Sequence, residues 1–257
     1  MKLPISVFII TKNEQENLEK TLKSVQRMEE VILVDSGSTD NTLAIAKEYG
    51  AKIYHQDWLG YSKQKQYAMS LCQNEWVLNL DGDEAINDEI IEKLHQIMLN
   101  DTADSVRLWR NDIFIGKPLS NYSKKPNNHR FYKKSKSHFD QSLLAHESAT
   151  VNGKEVFINE CFDHYGYGSI KSITEKNNNY SSLKAKEKFQ KRKSFSNLKL
   201  LLVLPLTFFK EYILQRKLFS GRRGFILAVM GAYYAFIKEA KLYEHYQQNI
   251  ENKNKNI

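Results

Sequence analysis

The run WVLNL (76–80) ends in Asp81-Gly82-Asp83-Glu84, three carboxylates around one glycine. Carboxylates this close repel one another, so a packed cluster of them requires a positive partner. One candidate is a divalent cation, which prefers hard oxygen ligands on short stems. The other is a cationic segment of the same chain. Two more polar clusters follow apolar runs: Thr11-Lys12-Asn13-Glu14 after ISVFII (5–10), and Asp35-Ser36-Gly37-Ser38-Thr39-Asp40 after VILV (31–34). Taken singly each has a plain structural reading, Asp35 as a turn former and Asp40 as a first-turn helix acid. An EF-hand calcium loop is excluded because Ile86 stands where its glycine is required. No GxGxxG follows the first apolar run, and no Walker sequence is present.

The elements that would position these clusters alternate between two periods. ISVFII is a continuous apolar strand, as expected where both faces are covered. Leu18, Leu22 and Val25 then recur at helical spacing. VILVD (31–35) is a second strand, and the Ser and Thr of 36–39 are placed to cap a helix from about Asn41. That helix shows Leu43, Ala46 and Tyr49 on one face and stops at Gly50. A strand at 51–56, a helix at 61–72 and the strand 76–80 follow, and Asn87 can cap a helix over 88–99. The order β-α-β-α-β-α-β-α predicts an α/β fold, a mostly parallel central sheet with flanking helices. In such sheets ligands bind beyond the carboxyl ends of the strands, where all three polar clusters fall.

Charge divides the chain. Residues 1–110 carry 12 basic and 18 acidic side chains, and residues 111–257 carry 26 and 12. The basic half points to an anionic partner. Nucleic acid is disfavoured, because Phe208, Phe209, Tyr233 and Phe236 sit in apolar helical runs instead of alternating with cations. Cys72 and Cys161 suggest no disulfide framework, which suits a reducing compartment. MKLPISVFII lacks the features of a signal peptide, and LLLVLPLTFF (200–209) is too short to span a bilayer. Two apolar segments, 198–214 and 225–242, flank Arg216, Lys217, Arg222 and Arg223. They read either as an anchor lying in an anionic membrane interface or as a helical hairpin packed on protein.

The segments 5–25, 31–51 and WVLNLDGDE (76–84) resemble the nucleotide-sugar half of a family 2 inverting glycosyltransferase of the GT-A fold, whose DXD motif matches 81–83. WLGYSKQKQYA (58–68) is similar to the W-x-G-[FY]-x-x-Q-K-N-x-A segment of a bacterial branch that adds β-linked glucose or a similar sugar to lipopolysaccharide inner-core heptose. Arg110 with Phe114-Ile115-Gly116, HRFYKK (129–134), AHES (145–148), DHYGY (163–167) and GRRGFILAVMGAYYAFIKEAKLYE (221–244) follow its order. Gly82 replaces the branch's usual alanine, Gln66 its asparagine, and NYSKKPNN (121–128) its Gly-Trp-Tyr-Pro.

The resemblance implies a UDP-sugar donor, a lipid A-core heptose acceptor and a Mn²⁺ or Mg²⁺ ion. Asp83 would contact the metal, Asp81 the ribose and, through water, the metal site, with His164 a possible third ligand. Thr11, Asn13 and Asp35 would surround the uracil or ribose. Lys65 would meet phosphate or base, its alternative being a solvated helix lysine. Glu147 would be the general base, with Asp140 and Asp163 as alternatives. Residues 1–115 would hold the donor, 116–175 the acceptor, and 176–257 the basic and apolar helices that associate with the membrane. The protein would lie on the inner face of the cytoplasmic membrane; its oligomeric state is left open. A sugar-nucleotide pyrophosphorylase would need a Gly-rich, Arg-containing loop after the first strand, which ITKNEQEN lacks. A transferase acting on another envelope glycan, or a basic membrane-binding protein without catalysis, is the remaining alternative.

Overall fold

The computed structural model describes residues 2–140 and 148–255. The chain forms two compact units, residues 1–111 with 125–165 and residues 112–124 with 166–257.

The first unit begins with β1 (Leu3–Thr11), α1 (Leu18–Ser24), β2 (Met28–Asp35), α2 (Thr42–Glu48), β3 (Lys52–His55), α3 (Tyr61–Ser70) and β4 (Trp76–Asp81). β5 (Glu84–Ala85), α4 (Asp88–Leu99) and β6 (Ser105–Phe114) follow; after β7 (Lys117–Pro118), which belongs to the second unit, come β8 (Asn127–Lys133), β9 (Ser137–His138), β10 (Thr150–Val151) and β11 (Glu155–Tyr167). The main sheet runs β3-β2-β1-β4-β8-β6-β11-β5. Pairing is parallel among β3, β2, β1 and β4, as expected for the first hundred residues. β8 joins β4 antiparallel and β6 joins β8 antiparallel. Ile5, Val7, Phe8 and Ile9 of β1 are fully buried, because helices cover both faces. Each such side chain contributes roughly 1.5–3 kcal/mol of burial.

Local signals hold at two helix ends. The Asn87 side chain accepts from Ile90 N at 2.9 Å, capping α4. Gly50, at φ +72°, follows the last turn of α2 in the left-handed region that glycine tolerates. The start of α2 differs from expectation. No Ser or Thr caps it; Asp40 Oδ1 accepts from Thr42 N at 3.0 Å and from Thr42 Oγ1 at 2.5 Å. Leu43 is exposed, and α2 instead buries Thr42 and Ala46, with Ile45 and Tyr49 packed on the core.

The second unit contains β7, α5 (Ile170–Gln190), α6 (Asn197–Phe209) and α7 (Gly221–Lys255). Pro205 lies inside α6, where it removes one helical donor. After Phe209 the coil widens into a five-residue π turn, Lys210–Leu214. Gly224 is required by contact: a Cβ there would stand 1.8 Å from Lys217 O. Arg223 donates to Phe114 O at 3.2 Å and Lys117 O at 2.7 Å, and Lys217 pairs with Glu211 at 2.6 Å. These contacts remove Lys217 and Arg223 from the four cations expected to face lipid. Arg216 and Arg222 remain exposed. No residue of α6 is buried, and Leu201, Leu206 and Phe209 are each more than half exposed. No helix among the described residues is long and apolar enough to cross a membrane.

Candidate active site

Register alone brings the three polar clusters together. Thr11 pairs with Asp35 across β1 and β2, and Ile10 pairs with Asp81 across β1 and β4. The residues after these strands therefore share one rim of the first unit.

The first two loops are tied to each other. Asp35 Oδ2 accepts from Gly37 N at 2.8 Å and Ser38 N at 2.9 Å, and Oδ1 accepts from Ser38 Oγ at 2.5 Å. Gly37, at φ +89°, makes this turn possible. Asp35 thus has the turn-forming role open to it from sequence. Asn13, itself left-handed at φ +56°, donates its N–H to Ser38 Oγ at 2.9 Å and accepts from Thr39 N at 2.8 Å. Thr11 Oγ1 is buried with no hydrogen-bond partner among the described residues, a polar atom suited to a ligand.

The carboxylate cluster answers to cations of the chain. Lys65, only 2 % exposed on α3, places Nζ 2.9 Å from Asp81 Oδ1. It is not a solvated helix lysine. Arg130 on β8, also buried, reaches Asp81 Oδ2 at 3.1 Å and bonds Glu84 Oε1. Arg130 occupies an irregularity: the register steps from Val106–Phe131 to Arg107–His129, leaving Arg130 as the extra residue. Such bulges re-aim a side chain. Burial opposes ionisation of Asp81, but Lys65 and Arg130 outweigh it and hold its carboxyl well below the usual range. Burial raises Glu84 above its ordinary 4.5; Arg130 opposes that rise and Asp81 adds to it. The Glu84 carboxylate also accepts from Asp81 N at 3.1 Å, closing the turn.

Asp83 is buried on the other side of Gly82, and its Oδ2 lies 3.8 Å from His164 Nε2. β11 holds this arrangement, since His164 pairs with Glu84, Asp163 pairs with Ala85, and Tyr165 N donates to Asp83 O at 2.7 Å. Asp163 falls on the opposite strand face. It accepts from Asn111 Nδ2 at 2.8 Å and lines a cavity with Lys20, Arg27 and Tyr165. Asp140 is exposed, and Glu147 lies outside the described residues. Gln66, the departure from the resembling motif, accepts from Phe139 N at 2.9 Å.

Among the described residues, no three His, Cys, Asp or Glu side chains could hold a metal ion between them. Both Asp81 oxygens are engaged by cations. Asp83 and His164 fit as a pair of ligands, provided the remaining ligands are oxygens of a bound substrate or water. From sequence Arg130 has no assigned role beyond its place in HRFYKK (129–134). Its signal was the acid excess of the cluster, which calls for more than one cation.

The profile of Glycosyl transferase family 2 matches residues 6–161. An uncharacterized glycosyltransferase of Rickettsia felis is 35 % identical over 256 residues, covering 93 % of this chain and 89 % of the relative. The lipopolysaccharide core biosynthesis glycosyltransferase LpsC of Rhizobium meliloti is 31 % identical over 253 residues, covering 95 % and 94 %. Among solved structures, S. aureus TarS 1-349 in complex with UDP-GlcNAc superposes with a TM-score of 0.51 at 15 % identity, covering 97 % of this chain and 92 % of that one. At that identity the likeness concerns the fold.

Proposed function

Because the chain belongs to glycosyl transferase family 2, and is a glycosyltransferase, we propose that it moves a hexose, glucose in our reading, with inversion from a UDP-sugar to an inner-core heptose of lipopolysaccharide. The observation that carries this reading is the strand-end rim. It offers an unpartnered Thr11 hydroxyl and an acidic turn in which Asp81 and Glu84 are matched by Lys65 and Arg130. In this reading Asp83, 3.8 Å from His164, is the carboxylate that meets a cation beside the donor diphosphate. The similarity to LpsC over nearly all of both chains supports the acceptor class.

In this mechanism Thr11 and Asn13 lie at the nucleoside, with Asp35 shaping their loop. Asp83 and His164 would hold Mn²⁺ or Mg²⁺, which when bound offsets charge on the leaving diphosphate. Asp81 is fixed by Lys65 and Arg130, so it orients ribose and water instead of binding the ion directly. Residues 1–115 serve the donor and 116–175 the acceptor. A base on the acceptor side removes the hydroxyl proton as the sugar carbon is attacked, and Glu147 has that role. Glu147→Gln is expected to keep UDP binding and lose transfer by roughly 10²–10⁴-fold. Asp163→Asn, on the opposite face, should retain activity. A loss in Asp163→Asn or Asp140→Asn with an active Glu147→Gln would move the base.

The direct test is a panel of UDP-sugars with heptosylated lipid A, read by mass spectrometry. Failure of every UDP-hexose on that acceptor would reject the reading.

Residues 176–257 fit an interfacial anchor on the inner face of the cytoplasmic membrane. Leu201, Leu206 and Phe209 are exposed, and Arg216 and Arg222 stay free to meet anionic headgroups. Each arginine should contribute about 1 kcal/mol of attraction. Arg216→Gln with Arg222→Gln should therefore weaken co-sedimentation with phosphatidylglycerol vesicles, and salt should release the parent protein. Equal sedimentation of parent and double variant would end the assignment.

A further inference from the structure

A cavity of about 520 Å³ lies within the second unit, walled by α5, α7 and the π turn after α6. Its lining is amphiphilic. Tyr167, Tyr180 and Tyr234 supply rings and hydroxyls, Asp112 and Asn177 supply further polar groups, and Ile173, Leu227 and Met230 form apolar wall. Gly231 on α7 also lines it, and a Cβ there would stand 3.5 Å from Glu211.

The lining carries three lysines, Lys210, Lys217 and Lys238, against two carboxylates, Asp112 and Glu211. Lys217 is matched by Glu211 at 2.6 Å. Lys210 and Lys238 also line the cavity, and neither has an ion-pair partner within 4 Å among the described residues. Glu239 cannot serve Lys238, because it already pairs with Lys188 and, at 3.4 Å, with Lys199. Lys238 instead sits over the Tyr234 ring at 5.3 Å. Burial and the neighbouring Lys188, Lys199 and Lys184, opposed by Glu239, push its amine below the ordinary lysine value. A half-buried cation under that pressure gains from an anion. The mouth supplies a second observation. Lys210 and Thr207 line this cavity and also an apolar groove along α6 formed by Leu198, Leu202 and Leu206.

We propose that the cavity binds the phosphorylated sugar headgroup of an amphiphilic glycolipid, whose chains lie along the exposed leucines of α6. Lys238 and Lys210 meet the phosphate, and the tyrosines with Asp112 and Asn177 meet ring and hydroxyls. The identification of this lipid with the acceptor rests on the reading of function above; the cavity itself does not.

Diphosphoryl lipid A in detergent micelles, its phosphatase-treated form, and phosphatidylglycerol vesicles are the probes. The parent protein should bind the phosphorylated form at least about tenfold tighter than the dephosphorylated one, the scale of one charge-assisted contact. Lys238→Gln should erase that preference without lowering the melting temperature, while leaving vesicle binding unchanged. Lys210→Gln should act in the same direction, and decides the matter should Lys238→Gln fail to fold. Equal binding of the two lipid A forms, or parent-like preference in a folded Lys238→Gln and in Lys210→Gln, overturns the proposal. So does an equal loss on vesicles, which assigns the lysines to general membrane charge. Lysine-dependent binding without transfer to a heptosylated form of the same lipid supports the cavity and overturns only the acceptor reading.

Discussion

Asp83→Ala is expected to reduce transfer by at least about 10²–10³-fold, the usual scale for losing one group that stabilises developing charge. Asp81 is held by Lys65 and Arg130, and Glu84 by Arg130, whereas Asp83 stands beside His164. The fold should survive, because the Tyr165 N to Asp83 O bond is a backbone contact that alanine keeps. Turnover, calorimetry of UDP binding with and without Mn²⁺, and a melting curve separate the effects. Metal-stimulated turnover at the parent rate would remove Asp83 from the site.

Arg130→Gln should cost stability instead, about 3–5 kcal/mol at pH 8, since it leaves the buried Glu84 carboxylate, and the half-buried Asp81, without their shared partner. The loss should shrink in acid, and the sign follows from both neighbours. The folded pKa of Asp81 lies below its unfolded 3.8, so its contribution is full above 3.8 and is lost as pH falls through the folded value. The folded pKa of Glu84 lies above 4.5, so its contribution is present below 4.5 and lost as pH rises. Removing the arginine weakens the first contribution and enlarges the loss in the second. The gap between parent and variant therefore widens from pH 4 to pH 8. Urea unfolding at the two pH values measures it, and Arg130→Gln with Glu84→Gln together should recover part of the loss. A gap that does not change with pH would mean that the arginine is not the counter-charge.

The parallel half of the sheet was legible because each strand there is a continuous apolar run bounded by a turn and followed by a helical repeat. The Asn87 cap and the Gly50 stop were legible because both are local chemistry. Arg130 was not: its place depends on a register step between β6 and β8, two strands whose pairing no local pattern announces. Lys65 was misleading for a related reason. α3 buries Ser62, Gln64 and Lys65 ahead of Ala68 and Met69, so apolar periodicity marks only the second half of its inner face. In the C-terminal third the apolar runs were visible, but which cations fold inward was not. Arg223 turns to the carbonyls of Phe114 and Lys117, more than a hundred residues away in sequence.

The loops after β1 and β2 are cross-tied by Asn13 N to Ser38, Thr39 N to Asn13, Glu14 N to Thr42, and Asn41 N to Gln15. A small molecule arriving at such a rim finds its contacts already assembled. Little chain entropy is lost on capture, so affinity reflects the contacts themselves with little deduction for ordering. Association on this side is then set by diffusion and orientation instead of by waiting for a rare loop conformation. Any slow ordering step in a turnover has to come from elsewhere in the chain.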